Sequence, residues 1–245
     1  MSAVDTRELK AGGAGAAIAT MSLGIFLMGL SDMLAKHLTD ALDPFQIVLV
    51  RNTIAAPFIV GLVYWRLGAK GFVTATPWLH VMRGVLLLGA GYTFFSALKT
   101  LGLAETTAIG FAAPIFITVL SALVLREVVG WRRWLAVLAG FGGVLIIVRP
   151  GGLPLDWGVA SAVCAASFYS LYVALTRKVS ATDSTATSMV YVGLVGLVLT
   201  TGVGIFFWQD MDLVSLGLTV LVMVTTIAAH GLMMMALARQ MVDAD

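Results

Sequence analysis

The chain has 245 residues, 60% of them hydrophobic and 11% charged, with a formal net charge of +2. A typical soluble domain carries about 25% charged residues, and a soluble core cannot hide this much apolar surface because its outside must still be polar; the bilayer is the solvent that fits. The single cysteine, Cys164, excludes a disulfide framework and any multi-cysteine metal site.

The first residues, "MSAVDTRELK", mix both signs and run into a long apolar stretch with no small-residue cleavage site. Residues 1–15 therefore read as a short cytoplasmic tail before an uncleaved span. A spanning helix needs about 20 apolar residues. Eight segments qualify as spans: 16–38, 44–65, 78–99, 104–126, 131–148, 157–178, 186–208 and 214–239. Asp43–Pro44 and Thr76–Pro77 each offer an N-cap followed by proline at the first helical position, and Asp156 caps the sixth span. Tyr64, Trp65, Trp78, Trp131, Trp134, Trp157 and Trp208 cluster near span ends, where interfacial aromatic belts lie. Connections are short, so the fold expected is an all-α integral membrane bundle of eight transmembrane helices.

Lys and Arg set the orientation. With the N-terminus in the cytoplasm, the inner side receives Arg7, Lys10, Arg66, Lys70, Arg83, Arg126, Arg132, Arg133, Arg177, Lys178 and Arg239. The outer side receives Lys36, Lys99 and Arg149. That is 11 against 3, with Arg51 set aside inside a span.

"RPGGLP" divides five spans from three. Sliding the second part over the first by 139 residues brings span 6 onto span 1 (Ser161 on Ser22, Ser170 on Ser31, Ala174 on Ala35) and span 8 onto span 3 (Ala229 on Ala90). Five is an odd number, so the second unit would be inverted in the membrane, an arrangement many transporters use. The reading is a first five-helix repeat over 16–149 and an incomplete second repeat over 150–245, two spans shorter than the first.

The segment "ALKTLGLAETTAIGFAAPIFITVLSALVLREVVGWRRWLAVLAGFGGVLIIVRPGG" resembles the span 3–5 signature of the drug/metabolite transporter superfamily, EamA type: "AL" before a short loop, "A…AP" entering span 4, "L-x-E" ending it, and a glycine-rich span 5. "RNTIAAPFI" in span 2 resembles the family's arginine-led pattern, with Asn52 where an aromatic is usual. The resemblance implies ten spans in two inverted repeats and movement of small metabolites across the inner membrane. Relatives carry riboflavin, S-adenosylmethionine, amino acids or drugs, so it implies no one substrate. It also implies that the chain lacks the last two helices. The flank they would cover is then expected to be an open groove, filled by a second copy, by a partner protein or by nothing.

Charges inside a span cost roughly 3 kcal/mol each at mid-bilayer, so they mark candidate sites. Asp32 in span 1 and Arg51 in span 2 fall at similar depths and are expected to pair, with Lys36 one turn from Asp32 competing for it. Two readings stand: a substrate or proton-coupling cluster, and a pair that only neutralises charge and fixes packing. His230 in span 8 is either a proton relay or a packing histidine. Tyr92, Thr93 and Ser96 on span 3, and Tyr169, Ser170 and Tyr172 on span 6, would line a polar cavity or bond between helices. Pro114 frees backbone carbonyls in span 4, at a binding site or at a plain kink. The glycines of "GFGG" (140–143) are expected to allow close helix packing, and Arg126 and Glu127 to lie in a solvated loop.

No metal-spaced His/Asp/Glu cluster, phosphate loop or nucleophile–base pair appears. The expectation is a non-enzymatic protein without cofactor, metal or nucleic-acid partner, placed in the inner membrane. It either transports a small metabolite or is a non-transporting remnant or assembly protein.

Overall fold

The computed structural model describes residues 3–123, 130–148, 156–180 and 182–242. Its elements are α1 (Ala3–Ala41), α2 (Pro44–Leu67), a 3-10 turn (Gly68–Phe72), α3 (Pro77–Thr100), α4 (Leu103–Gly110), α5 (Ala113–Leu123), α6 (Trp131–Val148), α7 (Trp157–Val179), α8 (Thr185–Gly204), a 3-10 turn (Ile205–Phe207) and α9 (Leu213–Val242). The protein is an all-α membrane protein. Among the described residues six segments are long and apolar enough to cross a bilayer: Ile18–Ala41, Pro44–Phe72, Pro77–Thr100, Leu103–Leu120, Trp157–Val179 and Thr185–Gly204. Tyr64, Trp65, Trp78, Trp131, Trp134, Trp157 and Trp208 are all exposed, as side chains of an interfacial belt must be.

Local chemistry sets the helix boundaries. Asp43 accepts from the backbone N–H of Phe45 at 2.8 Å, with Pro44 opening α2. Asp156 accepts from Gly158 and Val159 and starts α7. α2 ends at Gly68, whose φ of 59° lies in the left-handed region that glycine tolerates. Thr76 departs from its expected role: it precedes Pro77 but makes no side-chain cap, because its hydroxyl donates to Asp183 at 2.9 Å.

The span read over 104–126 is interrupted at Pro114, and its described part forms two helices. Pro114 has no N–H for the carbonyl of Gly110, so α4 closes there with a tight turn (Ala112 N–H to Ile109 O, 2.9 Å) and α5 restarts at Ala113. The expectation for "GFGG" is also overturned. A Cβ placed on Gly140, Gly142 or Gly143 meets no heavy atom within 4 Å, so these glycines face open space among the described residues.

The chain divides into two compact units. One contains α1 as far as His37 together with α9; the other runs from Leu38 to Met211. In the first, Ser31 of α1 donates to the Val222 carbonyl of α9 at 3.2 Å and shares a 2.7 Å hydrogen bond with Thr226. A Cβ on Gly24 would come within 3.1 Å of the Ala229 carbonyl oxygen, so the two backbones approach closely there.

In the second unit α3 packs chiefly on α7, and α2 on α8. Leu49 meets Gly204, Asn52 meets Gly196 and Ala56 meets Gly193. Rising numbers on α2 match falling numbers on α8, so the pair is antiparallel. Gly84 brings α3 onto α8, since a Cβ there would lie 2.6 Å from Val195. Ala97, Leu101, Ile109 and Ala162 form a hydrophobic core where α3, α4 and α7 meet.

Candidate functional site

The most heavily bonded polar group gathers where α3 begins. His80 and Arg83 lie three residues apart on α3 and so share a face; both are essentially fully buried, at 0% and 2% exposure. Arg83 Nη1 lies 3.2 Å from His80 Nδ1. A guanidinium only donates, so Nδ1 accepts and the ring proton sits on Nε2. From there it is donated to Asp183 Oδ2 at 3.0 Å. Arg83 Nε donates to Thr176 Oγ1 of α7 at 3.0 Å, and the Thr176 hydroxyl in turn donates to the Tyr172 carbonyl. The guanidinium also lies 5.2 Å over the Tyr172 ring. His80 stacks on Tyr191 of α8 at 5.0 Å, and the Tyr191 hydroxyl donates to the Phe72 carbonyl at 3.0 Å.

Asp183, in the α7–α8 connection, receives further bonds from Thr74 Oγ1 (2.6 Å), Thr76 Oγ1 (2.9 Å) and the Ala75 N–H (3.3 Å). These donors, Thr74 foremost and then His80, Thr76 and Ala75, hold its carboxyl well below the usual range against a smaller opposing effect of burial.

A second cluster surrounds Arg51 in α2. Its guanidinium lies 5.6 Å over the Phe95 ring of α3. A Cβ on Gly91 would sit 3.3 Å from Arg51 Nη2, so the glycine leaves room for the head group. Nearby, Phe45 of α2 meets Tyr92 of α3 edge-on at 5.7 Å and also meets Phe207 of the second 3-10 turn at 5.7 Å.

The remaining candidates divide. Ser96 and Thr93 spend their hydroxyls on their own helix, bonding the carbonyls of Tyr92 and Gly89. Ser170 bonds both Ala166 and, across to α5, the Ala113 carbonyl at 3.1 Å. Tyr169 is exposed, 6.1 Å from the Tyr172 ring. Pro114 lines a recess of about 380 Å³ with Thr118, Val137, Gly140 and Arg177. Asp32 and Lys36 lie one turn apart on α1, both half-buried. Asp32 and Arg51 belong to different units, and their pairing stays an expectation. The His230 side chain, and Arg126 and Glu127, lie outside the described residues.

The sequence reading passed over His80 and Asp183 and counted Arg83 only as an orienting charge. The available signal was a His and an Arg three apart at the start of a span, with an acidic turn, "TDST", elsewhere in the chain.

Comparison with known proteins places the chain. It is 23% identical over 190 residues to the S-adenosylmethionine uptake transporter of Rickettsia prowazekii, covering 76% of this chain and 63% of that one. With the same-named protein of Rickettsia bellii it shares 26% over 213 residues, 82% of this chain and 72% of that one. A riboflavin transporter of Vibrio cholerae is 40% identical over 79 residues, 32% of this chain and 26% of the other. The chain thus spans less than two thirds of the Rickettsia prowazekii protein's length. A crystal structure at 22% identity superposes with a TM-score of 0.64 over 89% of this chain and 78% of the other, a likeness of fold. The profile of the EamA-like transporter family matches residues 15–149, more than half of the chain. The chain belongs to the EamA-like transporter family.

Proposed function

We propose that the protein moves a small metabolite across the inner membrane by alternating access, with its N-terminus in the cytoplasm. The observation that carries this is the family match over 15–149, together with relatives named as uptake transporters of S-adenosylmethionine and riboflavin. S-adenosylmethionine is the first substrate to test, because its named transporters match the larger share of the chain. Arg51 supplies the binding charge: its five N–H donors suit a carboxylate, and Gly91 leaves room beside its head group. Asp32 and Lys36 are the coupling candidates on α1.

Two inverted repeats, 16–149 and 150–245, underlie the motion. In support, shifting by 139 residues takes the packed pair α1–α9 onto the packed pair α7–α3, and takes α2 onto its own partner α8.

Uptake of radiolabelled S-adenosylmethionine into proteoliposomes, with and without an imposed proton gradient, tests the reading. Saturable uptake is expected, falling at least about tenfold in Arg51→Gln, the scale of one lost charge-assisted bond. No uptake of S-adenosylmethionine or riboflavin by well-folded protein would overturn it. An unchanged pH profile in Asp32→Asn would remove Asp32 from the coupling.

A further inference from the structure

Two loops in the unit 38–211 are tied down in the same topological way, at opposite ends of the antiparallel α2–α8 pair. The segment entering α3 (73–76) is fastened to Asp183, two residues ahead of α8, through Thr74, Ala75 and Thr76, with His80 completing the set. The segment after α8 (208–210) is fastened to Gln46, the third residue of α2. Gln46 Nε2 donates to the Gln209 carbonyl at 2.8 Å, and Gln46 Oε1 accepts from the Gln209 N–H at 3.0 Å. Gln46 is fully buried.

In each case a polar side chain at the start of one helix grips the backbone or hydroxyls of a loop belonging to its partner's far end. Between the two ties, the α2–α8 contacts at Asn52–Gly196 and Ala56–Gly193 present glycines on the α8 side. Small residues there let the two backbones approach closely, so the helices share a tight seam between the ties.

We propose that these ties are the two end-locks of the transport cycle, the Asp183 tie closing one mouth and the Gln46 tie the other, each breaking in its own half-cycle. The proposal rests on the transporter reading. The locks are unequal. The Asp183 tie has four bonds to an ionised acceptor, whereas the Gln46 tie has two between neutral groups, and charge-assisted bonds are the stronger kind. The Asp183 end is therefore the one held shut longer.

Solvent access to two buried reporters tests this without any substrate. In a Cys164→Ser background, Val190→Cys lies near the Asp183 end and Val48→Cys near the Gln46 end; both valines are fully buried. Labelling of proteoliposomes with a membrane-impermeant maleimide follows each reporter. Asp183→Asn raises the Val190→Cys labelling rate roughly fivefold or more, the scale of one or two lost hydrogen bonds, and leaves Val48→Cys unchanged. Gln46→Leu does the reverse. Thr74→Val/Thr76→Val, which keeps the carboxylate and removes two of its donors, acts like Asp183→Asn to a lesser degree and stands in if that variant does not fold.

No change at either reporter, or a rise at both in one variant, overturns the proposal, because the ties would then be plain structural bonds. Selective labelling from a well-folded protein that takes up neither S-adenosylmethionine nor riboflavin would overturn the transport reading while leaving the two ties as independent locks of the helix ends, so the two failures are told apart.

Discussion

Arg83 reaches the Nδ1 of His80 at 3.2 Å, and this contact decides that the opposite nitrogen, Nε2, carries the proton offered to Asp183. A buried cation and a carboxylate are thereby joined through a neutral ring rather than directly, and the ring has no spare position for a second partner. His80→Phe keeps an aromatic ring against Tyr191 but removes both bonds, leaving a donor of the buried guanidinium unmatched. The expected loss is about 1–3 kcal/mol, read as a lower melting temperature in detergent. An unaltered melt would mean that the stacking, not the relay, holds this end.

Asp183 contributes to the acid behaviour. Its folded carboxyl is held below the ordinary value near 3.9. A group depressed in this way stabilises the fold above that ordinary value and loses the contribution as pH falls toward the folded one. Melting temperature is therefore expected to carry no slope from Asp183 between about pH 5 and 8. Below about pH 4 it falls more steeply in the native protein than in Asp183→Asn. Parallel acid limbs for the two proteins would contradict this.

Gly84 tests the packing of α3 on α8. A Cβ there lies 2.6 Å from Val195, so Gly84→Ala forces the helices apart and costs about 1–3 kcal/mol. Val195→Ala opens the space again. The double variant is expected to recover most of the loss, measured by thermal unfolding, whereas simple additivity would place the clash elsewhere.

Orientation is tested from the loops. In the Cys164→Ser background, Lys70→Cys is expected to react with an impermeant maleimide in inside-out vesicles, and Lys99→Cys in right-side-out ones. Both lysines are exposed. Reaction in the opposite preparations would invert the proposed topology.

The spans, the caps at Asp43 and Asp156 and the break at Pro114 were legible because each depends on neighbours within one turn of chain. Apolar runs of the right length, a carboxylate before a helix and a missing N–H act locally. The site was less legible because its bonds are remote: Asp183 and His80 are 103 residues apart. Charge counting placed Arg83 among the inner-side charges but gave no sign that it is buried. "GFGG" misled for the opposite reason. Glycines license a close approach but do not bring a neighbour, and among the described residues none stands within 4 Å of a Cβ placed there. Ser96 shows the same limit: its face was inferable, but not that its hydroxyl bonds its own helix.

The connection from Val179 to Thr185 has a practical consequence. One carboxylate in it holds four donors from a segment more than a hundred residues away, so the connection has little slack. Epitope tags, protease sites or fluorescent fusions are usually placed in such short interhelical turns. Spliced in here, they would move Asp183 off its donors and alter the protein they were meant to report on. The length of this turn is as much a part of the molecule's working geometry as any side chain in it.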